Sequence, residues 1–83
     1  MHFVYIVRCA DGSLYTGYAR DPKARVRVHN SGRGAKYTAS RRPVRLVYSE
    51  KCRTLSAALK REYELKQLPR KDKQTLTRAR NAR

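Results

Sequence analysis

Residues 3–19 read FVYIVRCADGSLYTGYA, and this stretch decides the fold. Residues 3–9 are rich in β-branched and aromatic side chains, which predicts a strand covered on both faces. The sequence ADG at 10–12 predicts a turn, and Leu14–Ala19 predicts the returning strand. The chain therefore begins with a predicted antiparallel hairpin.

The length of the hairpin turn decides which side chains share a face. A two-residue turn would place Tyr5 and Tyr15 on opposite faces of the sheet. A three-residue turn, with Gly12 left-handed, pairs Tyr5 with Gly17 and places both phenols on one face. In that register Gly17 would leave an open space where a phosphodiester could approach. Two ordinary strand tyrosines are the alternative interpretation.

The rest of the chain predicts one small domain of the α+β class. The expected architecture is a three-stranded antiparallel sheet flanked by helices, over residues 1–76, with a basic tail over 77–83. The further predicted elements are a helix from Pro22 to Asn30 or Ser31 capped by Asp21, a polar, basic loop over Gly34–Arg42, a strand over Val44–Cys52, a helix over Leu55–Leu68 capped by Thr54, and a basic, partly helical end over Arg70–Arg83.

The charge of the chain predicts a polyanionic partner. Its 21 Lys and Arg against 6 Asp and Glu give a net charge of +15. Nucleic acid is the natural candidate, with binding that weakens as salt rises. A solubilising surface is the alternative, and no segment predicts a membrane partner. Two cysteines in strand-like runs, without a signal peptide or transmembrane run, predict free thiols and a cytoplasmic protein.

The first helix contributes two polar groups that share one face. Arg25 and His29 are four residues apart, beside an apolar strip of Ala24 and Val28 that is expected to pack on the sheet. The two polar side chains would then lie at the edge between helix and sheet. A capping or surface histidine and a solvated arginine are the alternatives.

The second long helix contains an acidic residue on its apolar side. Its apolar stripe consists of Leu55, Ala58, Leu59 and Leu65. Glu62 falls in the middle of this stripe, and an inward carboxylate needs a cation. Mg²⁺ commonly takes only one or two protein carboxylates, so Glu62 is a candidate ligand. An ion pair with Arg25 or another base is the alternative.

These segments together resemble the GIY-YIG nuclease superfamily, in its small stand-alone bacterial, UPF0213-like branch. The matching segments, over roughly residues 3–76, are FVY at 3–5, YTG at 15–17, DPKAR at 21–25 with His29-Asn30, GAKYT at 34–38, and Arg61-Glu62 with Leu65-Lys66. Phe3 stands where the motif name has Gly, and Thr16 where it has Ile. Both are framework positions.

The resemblance implies a Mg²⁺-dependent endonuclease, with Mn²⁺ as a substitute, that hydrolyses phosphodiester bonds by in-line attack of water. Tyr5 would activate the water, with its pKa lowered by nearby cations. Tyr15 and His29 would position the water or relay a proton, Arg25 would stabilise charge on the phosphate, and Glu62 would hold the metal. DNA is expected rather than RNA, in structure-directed, repair-related cleavage.

A second group of residues is expected to bind the substrate. Its members are Gly17, Asn30, Lys36, Tyr37, Thr38 and Arg41, with added phosphate contacts from Arg78, Arg80 and Arg83. Two other functions stay open from the residues themselves. One is a non-catalytic DNA- or RNA-binding module on the same fold, and the other is a basic protein that meets an acidic protein partner. The oligomeric state stays open between a monomer and a weak homodimer.

Overall fold

The computed structural model describes the backbone of residues 1–81 and the side chains of residues 1–78. Its elements, in chain order, are β1 (His2–Arg8), β2 (Leu14–Ala19), α1 (Pro22–Asn30), α2 (Lys36–Ala39), β3 (Arg45–Cys52), α3 (Leu55–Gln67) and α4 (Arg70–Asn81). The strands form one antiparallel sheet in the order β2-β1-β3. The predicted α+β fold with a three-stranded sheet is confirmed.

The hairpin has the three-residue turn and the register that places the two tyrosines on one face. Tyr5 pairs with Gly17, and Val7 pairs with Tyr15. The Cys9 amide donates to the Ser13 carbonyl at 2.8 Å and so closes the turn. Gly12 has φ +86°, the left-handed conformation that this turn requires and that glycine adopts without strain.

The central strand β1 is covered on both faces. Four consecutive residues, Val4–Val7, are at most 1% exposed. Tyr5 and Val7 belong to the core on the side of α1, while Val4 packs with Ala58 and Leu65 of α3 on the other side. Helices on both faces explain why residues 3–9 do not alternate between apolar and polar side chains.

The inward side of α1 differs from the predicted strip. Asp21 caps the helix as expected, since its side chain accepts a hydrogen bond from the Ala24 amide. Pro22 and His29 are buried and Val26 packs on the core, whereas Ala24 and Val28 are only half-buried. Pro22, Val26 and His29 are spaced four and three residues apart, so they form the stripe that faces the sheet.

The predicted loop over Gly34–Arg42 contains a short helix, α2. The carbonyl of Ala35, the residue before the helix, accepts hydrogen bonds from the amides of Thr38 and Ala39, and these bonds form one helical turn. The loop then enters β3 through Val44, whose amide and carbonyl both bond to the side chain of Asn30. The sequence predicted a loop here because the segment is polar and basic and contains glycine. A single helical turn is too short to show an apolar periodicity.

The predicted stripe of α3 is only half correct. Thr54 caps the helix, and Ala58 and Leu65 are fully buried. Leu55 and Leu59, however, are 47% and 48% exposed. The helix presents to the sheet the side that runs through Ala58 and Leu65, so Leu55 and Leu59 are rotated toward solvent.

The last described element is α4, whose first residue bonds to the hairpin turn. Arg70 donates through Nη2 to the Gly12 carbonyl at 2.9 Å. Leu76 packs beside the α3 core, and Thr77 is buried. The boundary expected after residue 76 thus falls within α4, and the side chains of Arg80 and Arg83 lie outside the described part. Within residues 1–81, no helix is long and apolar enough to cross a membrane.

Candidate active site

The candidate site centres on a buried phenol at the β2 edge of the sheet. Tyr5 is 1% exposed, and its ring lies across Gly17 of the neighbouring strand. A Cβ atom at Gly17 would lie 2.6 Å from Tyr5 Oη and 2.7 Å from Cζ. The open space expected over Gly17 is therefore filled by Tyr5 itself. Only glycine at this position lets the phenol cross β2 and reach the sheet edge.

A chain of hydrogen bonds runs from Tyr5 into the loop after α1. Tyr5 Oη lies 2.7 Å from His29 Nε2, His29 Nδ1 lies 2.8 Å from Thr38 Oγ1, and Thr38 Oγ1 donates to the Ala35 carbonyl at 2.9 Å. Thr38 has one hydroxyl proton and gives it to Ala35, so it must accept from His29 Nδ1–H. The neutral imidazole then has its lone pair at Nε2, and Tyr5 donates to it.

The surroundings favour the neutral forms of both rings. Burial raises the pKa of Tyr5 above 10.0, and the Arg25 guanidinium opposes this only in part. The expectation that cations lower the pKa of Tyr5 is therefore wrong, because desolvation outweighs the nearby positive charge. Burial, together with the charge of Arg25, lowers the pKa of His29 below 6.5. At neutral pH the pair is a phenol that donates to a neutral imidazole.

His29 is neither a capping nor a surface histidine. It is fully buried, its two ring nitrogens are both engaged, and Tyr15 packs against its ring edge-on at a centroid distance of 5.4 Å. Tyr15 is also close enough for its charge to affect the pKa of Tyr5. The two phenols and the imidazole thus form one contiguous aromatic cluster.

Arg25 and Glu62 approach this cluster from opposite faces of the sheet. Arg25 comes from α1 and Glu62 from α3, and the charges of both act on the hydroxyl of Tyr5. The side chain of Glu62 is 19% exposed, and its Oε2 lies 3.1 Å from Lys66 Nζ. Tyr5, Tyr15 and His29 therefore form one cluster with Arg25 at the Tyr5 hydroxyl, whereas Glu62 acts on that hydroxyl through its charge and contacts a basic partner on its own helix.

One carboxylate fits a Mg²⁺ ion of the kind that completes its coordination with water and substrate phosphate. Among the described residues no group of three or more His, Cys, Asp or Glu could hold a metal ion. Glu62 is partly exposed and lies near Tyr5, so it can offer an oxygen ligand at the site. A metal here would depend on the substrate for part of its coordination.

The predicted substrate-binding residues separate into those that form a stack at the surface and those whose side chains bond within the protein. Tyr37 is 40% exposed, stacks on Tyr15 at a centroid distance of 5.9 Å, and has the Arg41 guanidinium 4.0 Å from its ring centroid. Arg41 also pairs with Asp11 at 3.1 Å. Lys36 is exposed on the same short helix. The cluster thus continues to the surface as a stack of Tyr15, Tyr37 and Arg41.

Thr38 and Asn30 hold the site together through bonds within the protein. Thr38 has no exposed surface and bonds to His29, while Asn30 binds the backbone of Val44 through its side chain. Gly34 also belongs to the site although no pattern predicted it, because a Cβ atom there would collide with the ring of His29. No sequence signal distinguishes this glycine from an ordinary helix terminator, because its neighbour in space is five residues back.

Comparison with known proteins identifies the family of the chain. The pattern of the GIY-YIG catalytic domain matches residues 1–76. A UPF0213 protein of Staphylococcus aureus strain Mu50 is 63% identical over 79 residues, which cover 95% of this chain and 96% of that protein. The solution structure of the UPF0213 protein BH0048 from Bacillus halodurans is 46% identical with a TM-score of 0.60. The match covers 94% of this chain and 83% of the chain of BH0048.

A second solved structure extends the match. The solution structure of the protein EF2693 from E. faecalis is 44% identical with a TM-score of 0.63. The match covers 99% of this chain and 88% of the chain of EF2693. The domain match, the fold and the identity to these relatives all agree. The chain therefore belongs to the GIY-YIG family of nucleases, and its close homologues are the small bacterial UPF0213 proteins.

Proposed function

We propose that this protein is a metal-dependent endonuclease that hydrolyses phosphodiester bonds in DNA, directed by the structure of the nucleic acid and acting in repair. GIY-YIG domains are generally endonucleases that use a divalent metal. The observation that carries the proposal for this chain is the directed hydrogen-bond chain from Tyr5 through His29 to Thr38. A protein that only binds DNA has no need of a buried imidazole that accepts a hydrogen bond from a phenol, as His29 does from Tyr5.

The chain supplies a route for the proton of the attacking water. The water donates to a lone pair of Tyr5 Oη beside the hydrogen bond from Arg25, and Tyr5 passes its own proton to His29 Nε2 as the new phosphorus–oxygen bond forms. Tyr5 stays neutral throughout, and His29 becomes an imidazolium. This relay avoids a tyrosinate, which the raised pKa of Tyr5 disfavours.

Arg25 and Glu62 would act on the phosphate. The Arg25 guanidinium would stabilise the charge that develops on the phosphate oxygens. Glu62 would hold Mg²⁺ or Mn²⁺, which supplies a Lewis acid for the phosphate and for the leaving oxygen. Lys66 neutralises Glu62 in the free protein, so its ammonium group must give way when a metal binds.

The exposed stack beside the cluster would hold the strand that flanks the scissile phosphate. Tyr37 and Arg41 present an aromatic ring and a guanidinium at the surface, and both are suited to stacking on bases. Lys36 adds a phosphate contact. The net charge of +15 supports the same partner, with affinity that depends strongly on salt.

The ion pair of Glu62 with Lys66 favours one alternative, a non-catalytic DNA- or RNA-binding module. A carboxylate that is already neutralised needs no metal. Cleavage of labelled single-stranded, duplex, flap and junction DNA with Mg²⁺ or Mn²⁺ separates the two functions. Glu62→Gln should abolish metal-dependent cleavage and leave binding nearly intact.

Glu64→Gln is the matched control for this experiment. It changes the same residue type on α3, but Glu64 is exposed and pairs with Arg61. We expect Glu64→Gln to cleave at the wild-type rate. Salt-sensitive binding by all three proteins without cleavage by any of them would support the binding module and refute the nuclease.

A further inference from the structure

A polar cleft lies on the face of the sheet away from Tyr5. It has a volume of about 210 Å³ and lies between the end of β1 and α4, lined by Arg8, Gln74, Thr77 and Arg78. Side chains alternate along a strand, so Arg8 points to the face of Val4 and not to that of Tyr5. The cleft is therefore separate from the candidate active site.

Arg8 brings a buried donor to this cleft without a partner for it. Its Nε atom is buried and has no hydrogen-bond partner in the structure over the described residues. A guanidinium stays protonated in proteins, so the group cannot relieve its burial by losing a proton. A buried N–H without an acceptor carries the full penalty of its lost hydration. The Nε–H of Arg8 is therefore open to an acceptor that enters the cleft, either water or an anion.

The residues that line the cleft decide which kind of acceptor it favours. None of its four lining residues is acidic, and two of them are arginines. The Thr77 hydroxyl already donates to the Gln74 carbonyl at 2.9 Å. The donors that remain are N–H groups of Arg8, Gln74 and Arg78. Two like charges and several donors in one cleft favour a ligand that is anionic and accepts only.

We propose that Arg8, Gln74 and Arg78 form a binding cleft for a phosphate group. The Nε–H of Arg8 and one of its Nη–H groups form a fork that matches two oxygens of a phosphate, and Arg78 closes the cleft from α4. The phosphate comes either from a nucleic-acid strand that passes around the domain or from free phosphate. The proposal does not depend on nuclease activity, because none of these residues contacts the Tyr5 cluster in the structure.

Titration of the wild-type protein, labelled with ¹⁵N-arginine, tests the cleft directly. The Nε–Hε signal of Arg8 is followed by NMR as inorganic phosphate replaces chloride at constant ionic strength. A single-stranded oligothymidylate, added with EDTA to exclude cleavage, forms the second arm. Phosphate should shift the Arg8 signal to saturation, while the signal of the exposed Arg53 moves little.

The two arms identify the source of the phosphate. A shift at Arg8 with oligothymidylate that free phosphate reverses assigns the cleft to a nucleic-acid strand, and a shift with inorganic phosphate alone assigns it to the free anion. Either outcome supports the cleft. No saturable shift in either arm, or equal shifts at Arg8 and Arg53, would overturn it.

Two variants measure the contribution of the guanidinium. Arg8→Gln should weaken phosphate binding by about tenfold or more, since a charge-assisted hydrogen bond is lost. Arg53→Gln removes the same charge from an exposed position between β3 and α3 and should leave the affinity unchanged. Equal affinities of wild type and Arg8→Gln would refute the assignment. If Arg8→Gln does not fold, the wild-type titration decides alone.

Discussion

Gly17 offers the sharpest test of how this fold places the catalytic phenol. In Gly17→Ala the new Cβ would lie 2.6 Å from Tyr5 Oη and 2.7 Å from Cζ, where ordinary contact begins near 3.4 Å. The ring must therefore retreat by about 0.7–0.8 Å. A shift of this size lengthens the bond of 2.7 Å to His29 to the limit of a hydrogen bond.

The cost of this shift can be estimated for stability and for rate. Overpacking of a buried ring costs about 1–3 kcal/mol, and the weakened buried hydrogen bond adds about 1 kcal/mol. The free energy of unfolding should thus fall by about 2–4 kcal/mol. Misplacement of the phenol by nearly 1 Å should lower the single-turnover cleavage rate by about 100-fold, with little change in DNA affinity.

Urea unfolding and single-turnover cleavage with excess metal measure the two effects, at a temperature where the variant is folded. Gly12→Ala is the matched control. Its backbone is strained at φ +86°, but no atom lies within 4 Å of the added Cβ. It should lose about 1–2 kcal/mol of stability and keep the cleavage rate of the folded protein. If Gly17→Ala cleaves as fast as Gly12→Ala, the close fit of Tyr5 over Gly17 does not govern catalysis.

Two further predictions concern the hydrogen-bond chain behind Tyr5. Thr38→Val leaves the His29 Nδ1–H buried without an acceptor and should lower the free energy of unfolding in urea by about 1–3 kcal/mol. Thr38→Ser should restore the ¹⁵N shifts of the imidazole. An unfolding midpoint of Thr38→Val equal to that of the wild type would contradict the assignment. Because the pKa of His29 is lowered below 6.5 in the folded protein, the unfolded chain binds more protons between the folded pKa and 6.5. Stability and kcat/KM should therefore fall as pH decreases through this window, and the slope of stability should flatten in His29→Gln.

Local patterns predicted much of the fold because the forces involved are local. The turn chemistry at 10–12 requires a left-handed Gly12, and that turn alone determines that Tyr5 opposes Gly17 and Val7 opposes Tyr15. The caps at Asp21 and Thr54 follow from side chains that bond amides three residues later. These features depend on residues only a few positions apart.

Predictions that required the rotation of a helix about its axis were less accurate. Leu55 and Leu59 are exposed, and Pro22 and Val26 replace Ala24 and Val28 on the inward side of α1. In so basic a helix the apolar stripe is weak, and the sheet selects the side that fits it. Of the predicted stripe of α3, Ala58 and Leu65 are buried as expected, and only Leu55 and Leu59 are turned to solvent.

By itself, the sequence determined the hairpin, the caps and the set of polar residues that resembles a nuclease, and it narrowed the register to two possibilities. Only the tertiary structure decided that Tyr5 fills the space over Gly17, that His29 is buried with its tautomer set by Thr38, and that Glu62 pairs with Lys66. It also decided the sign of the pKa shift of Tyr5. Desolvation and close contact depend on distances between segments far apart in the chain, and no local pattern contains them.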